Sequence, residues 1–248
     1  MKKLFIAITA LFFGLTGQAQ TVDEVVSAHV EAIGGKDKLA ALKSMYMESI
    51  SVMQNGNEVT SKIWKVQDKL MRREIAFGMG QMTSIVTDKE GWNSNPRNGG
   101  TFEAVPADRL AGMKTEMDIA GPLVDYAAKG HKAELAGRED VNGTSCHVVK
   151  LTMFAGREIT YLIDPKTYYI VRTKTKGGGF MRGGGGGGGG GARNPEAEMV
   201  TDYSDHRKTP EGYVFPYTIT IQGMGASQNV EKLEVNKEVD AKLYKPGN

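Results

Sequence analysis

Apolar and polar residues alternate with a period of two over most of the chain from Ser44 onward. The clearest run places Tyr213, Phe215, Tyr217 and Ile219 on one side. Such alternation is typical of β-strands with one buried face. Further runs occupy residues 44–53, 59–66, 69–77, 79–87, 131–139, 145–154, 158–163, 168–174 and 229–237, and another strand is expected after Pro195. The sequence therefore predicts about nine or ten strands.

The connections between these runs indicate one antiparallel sheet and a mainly β (α+β) fold. Asn55-Gly56 and Asn142-Gly143 are typical hairpin turns, and helices do not alternate regularly with strands. A sheet this long should curl, because a flat sheet leaves long exposed edges. A curled sheet has a concave face, and something must fill it.

Helical periodicity is found at the start of the chain and again near its middle. Thr21 and Glu24 form a capping box, and apolar residues from Val22 to Ile33 then recur at helical spacing, with His29 on the same stripe. We expect His29 to be a hydrogen-bonded core histidine. Residues 36–43 predict a second short helix. Later, Leu110, Met113 and Met117 lie on one helical face after Pro106, and another short helix is predicted after Pro122.

The charge balance argues against a nucleic-acid partner. The 248 residues contain 31 Lys and Arg against 29 Asp and Glu, and the first twenty residues hold Lys2 and Lys3 but no acid. The remaining chain is neutral, so no net basic patch is expected. Twelve of the 32 glycines lie in residues 177–191. Because polyglycine loses the most backbone entropy on ordering, we predict a flexible loop over residues 177–194.

The first residues read as a secretory signal peptide. Met1-Lys2-Lys3 precedes an apolar stretch at 4–15 and the small-residue motif Gly17-Gln18-Ala19. Twelve apolar residues are too few to span a bilayer, which needs about 20. We expect cleavage of residues 1–19, a single domain over 20–248 and a soluble periplasmic protein. Cys146 is the sole cysteine, so no internal disulfide is possible, and it should be a buried small hydrophobe.

Catalytic and metal-binding motifs are not found in the sequence. The four histidines are scattered without the spacing of metal ligands. Asp202, Asp205 and His206 lie close together before the turn at 209–212. Polar residues at a strand end explain them best, and an acid/base or metal role is the alternative. We therefore predict a protein that is not an enzyme and has no catalytic residue, metal or cofactor, with a hydrolase as the least favoured hypothesis.

Four stretches of the chain resemble the LolA-like family of periplasmic lipoprotein carriers, also described as outer membrane lipoprotein-sorting proteins. The stretch 23–39 is similar to the family's opening helix pair. Thr87-Asp88-Lys89-Glu90-Gly91-Trp92-Asn93-Ser94-Asn95-Pro96 resembles its hairpin, in which a turn leads to an aromatic residue and then Asn-Pro. Asp202-Tyr203 with 212–216 resembles the late strand pair, and 239–246 resembles the closing segment.

This resemblance implies an incomplete β-barrel wrapped around the N-terminal helix, with short lid helices that carry Leu110, Met113 and Met117. Carriers of this family use an arginine near the end of an early strand. At that position this chain reads Val66-Gln67-Asp68, and Arg72 and Arg73 follow a few residues later.

A barrel of this kind, lined by aliphatic, aromatic and methionine side chains, would bind acyl chains by burying them. The expected hydrophobic cavity is lined by Met47, Trp64, Ile75, Phe77, Leu110, Met113, Met117, Val149, Leu151, Tyr161, Phe215, Tyr217 and Ile219. The expected partners are a lipid or a lipid-modified protein and a handover partner at the inner or outer membrane, and the expected state is a monomer. The alternative is a non-catalytic envelope interaction protein whose barrel is filled by its own side chains.

Overall fold

The computed structural model describes residues 20–154, 156–176, 198–223 and 225–247. The predicted signal peptide at 1–19 and the predicted glycine loop at 177–194 lie outside these residues. The α-helices are α1 (Val22–Ala32), α2 (Lys36–Ala40) and α3 (Ala107–Met113). Three short 3-10 helices are Pro96–Asn98, Lys114–Met117 and Ala241–Tyr244. The strands are β1 (Ser44–Val52), β2 (Glu58–Val66), β3 (Leu70–Phe77), β4 (Gly80–Thr87), β5 (Gly91–Ser94), β6 (Phe102–Ala104), β7 (Lys132–Val141), β8 (Thr144–Thr152), β9 (Glu158–Ile163), β10 (Ile170–Lys176), β11 (Glu198–Lys208), β12 (Val214–Ile221) and β13 (Ser227–Val235).

All thirteen described strands belong to one antiparallel sheet. Their order is β6-β5-β4-β3-β2-β1-β13-β12-β11-β10-β9-β8-β7, so β6 and β7 are the two edges. These edge strands are consecutive in the chain. Residues 105–131, here called the linking segment, connect one edge of the sheet to the other and contain α3. The sheet is curled and not closed, which confirms the predicted mainly β fold with an incomplete barrel.

Helix α1 lies against the concave face of the sheet. Its capping box is formed as predicted: the Thr21 hydroxyl accepts a hydrogen bond from the Glu24 amide, and the Glu24 carboxylate accepts one from the Thr21 amide. Val25, Val26 and Val30 then pack with buried side chains from both halves of the sheet, including Met45, Val149, Leu151, Tyr161, Ile163, Tyr213 and Val235. This cluster is the main core of the protein.

The linking segment extends the packing in two places. Leu110, Met113 and Met117 form a second core with Met71 and Val86 on β3 and β4. Ile119, Leu123 and Val124 join the main core beside α1. The approach of α3 to the sheet is close, because a Cβ atom at Gly91 would lie 3.0 Å from Leu110 Cδ1. A glycine at this position therefore allows Leu110 to reach its packing site.

The structure corrects the predicted elements in two respects. The short strands β5 and β6 were not expected, since runs of 4 and 3 residues are too brief to show alternation. The helix predicted after Pro122 is instead a series of turns. Its backbone cannot continue as an α-helix, because Asp125 has φ 51° and Gly130 has φ 73°. The expected roles of Cys146 and His29 are confirmed: Cys146 is free and buried, and the His29 Nδ1 atom lies 2.8 Å from the Tyr168 carbonyl oxygen.

The buried His29 predicts a loss of stability in mild acid. Burial lowers the pKa of His29, and the nearby His206 lowers it further, although the hydrogen bond to Tyr168 opposes both. The unfolded chain therefore takes up a proton first as the pH falls below about 6.5, and stability declines from that point. The melting temperature should fall as the pH is lowered from 7.5 to 5. In His29→Gln, the melting temperature should depend less steeply on pH. An unchanged slope in this variant would show that other groups, such as His206, carry the effect.

The second core predicts a specific cost for shortening Met113. Met113 is 5% exposed among Leu110, Met117, Met71 and Val86, so Met113→Ala leaves a cavity and should destabilise the protein by about 2–4 kcal/mol. Met79 is 78% exposed, and Met79→Ala is the matched control, with an expected change below about 0.5 kcal/mol. Urea unfolding measures both values. Equal losses in the two variants would contradict the packing of α3 against the sheet.

Candidate functional site

The concave face of the sheet can be read from the strand register. Met47 on β1 lies opposite Ile63 on β2, and Ile63 lies opposite Arg73 on β3. Because directly opposed residues point to the same side of a sheet, these side chains share the face that carries Met45 of the main core. We call the space between this face, α1 and the linking segment the lumen.

Twelve of the thirteen residues predicted to line a cavity lie on the concave face or on the linking segment. Val149, Leu151 and Tyr161 are buried in the main core, while Leu110, Met113 and Met117 are buried in the second core. The other six are half-buried: Met47, Ile75, Phe77, Phe215, Tyr217 and Ile219. Six of the predicted residues are therefore already covered by protein, and six retain accessible apolar surface.

Trp64 is not brought together with the other twelve residues. It lies opposite Tyr46 in the register, and the two ring centroids are 5.1 Å apart on the convex face. There both rings line a separate cavity of about 340 Å³, together with Lys232, Glu234 and Leu243. This is a correction to the predicted set. The alternation along β2 is as expected, but Ile63 and Lys65, not Trp64, point into the lumen.

The C-terminal residues cover part of this convex face. Arg72, which is buried, donates hydrogen bonds from Nη1 to the carbonyl oxygens of Leu243 and Lys245, both at 3.2 Å. Its Nε atom donates to Glu74 Oε1 at 2.7 Å. Arg72 therefore attaches the C-terminal residues to the convex face of the sheet. Its neighbour Arg73 points to the concave face and has a different role.

The lumen contains a charged cluster as well as apolar surface. Arg73 Nη2 lies 3.7 Å from Glu116 Oε2 on the 3-10 helix of the linking segment. Two residues later, Asp118 Oδ2 accepts a hydrogen bond from Lys129 Nζ at 2.6 Å. The Gln67 side chain also reaches this segment, because its Oε1 atom accepts a hydrogen bond from the Ile119 amide at 2.9 Å. Polar contacts thus join the linking segment to β3 and to the turn after β2.

Burial changes the proton affinity of two members of the charged cluster. It raises the pKa of Glu116, while the nearby Arg73, Lys65 and Arg157 oppose that change. It lowers the pKa of Lys65, although the charges of Glu116 and Asp118 favour its ammonium form. Both shifts have the sign expected for charges held in a low-dielectric interior. The sequence reasoning did not identify Lys65, Arg73, Glu116 or Asp118 as residues of the site.

The three residues of the alternative hydrolase hypothesis each contact a different group. Asp202 accepts hydrogen bonds from Arg172 Nε and, at 3.0 Å, from Gln222 Nε2. Asp205 is engaged by Arg207, and the His206 Nε2 atom lies 3.2 Å from the Ile170 carbonyl oxygen. Each side chain thus has its own partner elsewhere in the sheet, and their arrangement supports no shared acid/base chemistry.

Within the described residues, no helix has the length and apolar character needed to cross a membrane. No family model and no curated protein matches the sequence.

Two solved structures share the architecture of this chain. A DUF1329 family protein from Desulfovibrio piger superposes with a TM-score of 0.55 at 12% identity, over 92% of this chain and 98% of its own. A LolA superfamily protein from Nitrosomonas europaea superposes with a TM-score of 0.53 at 10% identity, over 92% of this chain and 99% of its own. At such low identity the similarity concerns the fold. The chain therefore shares the fold of these two structures, and the resemblance of its sequence to the LolA-like family had implied such a fold.

Proposed function

We propose that this protein is an exported, periplasmic carrier or binder of a hydrophobic ligand, either a lipid or the acyl chains of a lipid-modified protein, in outer-membrane lipoprotein sorting. The observation that carries the proposal is the accessible apolar surface of the lumen, formed by Met47, Ile75, Phe77, Phe215, Tyr217 and Ile219. Burying an acyl chain against such a surface contributes about 0.8 kcal/mol per methylene group. The LolA-like fold supports the same function.

The linking segment is the element that would control access to the lumen. It joins the two edges of the sheet, and the contacts of Arg73 with Glu116 and of Lys129 with Asp118 hold part of it in place. A ligand buried beneath it leaves only if this segment moves or a partner offers a better pocket, because the buried apolar surface is costly to expose to water. The proposal therefore includes a handover partner in the envelope.

A second function is favoured by the packing of the main core. Ile119, Leu123 and Val124 of the linking segment enter the space beside α1, where they cover part of the concave face. A barrel filled in this way would suit an envelope interaction protein without a lipid cargo. In that case substitutions on the concave face would alter stability and leave no ligand-dependent effect.

The test of the carrier function is the recovery of bound lipid. Native mass spectrometry of the protein purified from its own periplasm should show co-purifying acyl-chain lipid, and a neutral fluorescent probe such as N-phenylnaphthylamine should bind and be displaced by lipids. Absence of lipid together with absence of probe binding would favour the self-filled barrel.

A matched pair of variants tests whether the lumen is the binding site. Ile75→Asp places a carboxylate on the concave face and should weaken probe binding at least tenfold, because the charge must be desolvated beside the probe. Met79→Asp, in the exposed hairpin next to the same strand, should leave binding unchanged. Circular dichroism confirms that both variants are folded. Equal probe affinity in the two variants would exclude the concave face of β3 as the binding surface.

A further inference from the structure

The inner wall of β2–β4 carries a polar patch in the middle of the apolar lumen. Lys65 and Arg73 lie diagonally across the pair β2–β3, since Ile63 is opposite Arg73 and Lys65 is opposite Met71. Ser84 lies directly opposite Arg73 on β4, and Ser61 lies diagonal to it on β2. Two cations and two hydroxyl groups are therefore next to one another on the concave face.

Several donors of this patch lack a protein partner. The hydroxyl oxygens of Ser61 and Ser84 are buried, and in the described part of the chain neither has a hydrogen-bond partner. Lys65 is half-buried, and across residues 20–154, 156–176, 198–223 and 225–247 no ion pair or side-chain hydrogen bond engages its ammonium group. Buried polar groups are normally satisfied, so open donors on the concave face indicate a missing acceptor.

The charges around the patch favour a negative ligand. Lys65, Arg73 and Arg157 interact electrostatically with Glu116, and Lys129 pairs with Asp118. Lys65, Arg73 and Arg157 thus surround the Glu116 carboxylate, while Lys129 and Asp118 form a pair of their own. Positive charge is costly in a partly buried position, and a negatively charged group placed between Lys65 and Arg73 would offset it.

The position of the patch also matters for the type of ligand. Ile75 and Phe77 continue along the same face of β3 from Arg73, so apolar surface adjoins the cations directly. A ligand that satisfies both surfaces has an anionic head and an apolar chain. A free inorganic anion would fill only the polar patch, and a neutral lipid would leave it open.

Resting on the carrier function proposed above, we infer that the lumen binds an acyl chain bearing an anionic headgroup, whose carboxylate or phosphate is held by Lys65 and Arg73 with Ser61 and Ser84. Glu116 occupies Arg73 in the unliganded protein. The headgroup competes with this carboxylate for the Arg73 guanidinium.

The test compares ligands that have the same acyl or alkyl chain and differ in the charge of the headgroup. Displacement of N-phenylnaphthylamine from the full mature protein is measured with dodecanoate against dodecanol, and with lauroyl lysophosphatidic acid against lauroyl lysophosphatidylcholine. The anionic member of each pair should bind about tenfold more tightly, since charge-assisted hydrogen bonds stabilise only that member. Acetate and inorganic phosphate should displace nothing. The two pairs distinguish a carboxylate from a phosphate headgroup.

Variants then assign the selectivity to the patch. Lys65→Met should abolish most of the preference for dodecanoate over dodecanol, whereas Lys65→Arg should retain this preference. Removing a half-buried ammonium without an ion-pair partner should not unfold the protein. The matched control is Lys62→Met, on the opposite face of the same strand, where Nζ lies 3.7 Å from Glu48 Oε1. Glu116→Gln should raise the affinity for dodecanoate, because it removes the competing carboxylate.

The outcomes separate this inference from the proposed function. If the probe and both members of each pair fail to bind, the carrier function is wrong. If dodecanoate and dodecanol bind equally, the carrier function stands and the anionic headgroup is excluded. A preference that survives in Lys65→Met and disappears in Lys62→Met would likewise overturn the assignment to the inner wall.

Discussion

The two open edges of the sheet, β6 and β7, determine how the rest of the chain must connect and pack. A flat sheet of thirteen antiparallel strands would expose its two edges far apart. In the curled sheet, β6 and β7 remain the two edge strands. Because these edge strands are consecutive in the chain, the single linking segment of residues 105–131 joins them. The same segment supplies the second core through Leu110, Met113 and Met117 and adds Ile119, Leu123 and Val124 to the main core. Closure, packing and access to the lumen therefore all depend on one stretch of chain.

The lumen combines apolar and charged surface, and the two differ in how they respond when water is excluded. Apolar side chains such as Ile75 and Phe77 gain free energy when water is excluded, whereas the charges of Lys65 and Arg73 lose solvation in the same space. Glu116 and Asp118 compensate part of that loss from the linking segment. These partly buried charged contacts therefore contribute little net stability, because the desolvation of the charges offsets their attraction.

The two neighbouring arginines of β3 point to opposite faces of the sheet and make different contacts. Arg72 points outward and binds the carbonyl groups of the C-terminal residues, and Arg73 points inward to Glu116. In the turn after β2, Gln67 also contacts the linking segment, because its Oε1 atom accepts a hydrogen bond from the Ile119 amide. Gln67 and Arg73 thus both connect the early strands to the linking segment.

The mainly β class, the capped helix α1, the burial of Cys146 and His29, and the apolar face of α3 could be predicted from the sequence, because each depends on local periodicity or on a short motif. Of the thirteen residues predicted to line a cavity, twelve lie on the concave face or the linking segment. That Trp64 faces outward and Lys65 inward depends on how the sheet curls, since alternation separates the two faces of a strand without saying which one is inside. The short strands β5 and β6 depend on their pairing with neighbouring strands, which local periodicity does not show. The contact of Arg73 with Glu116 depends on the path of residues 105–131, which brings together positions far apart in the chain.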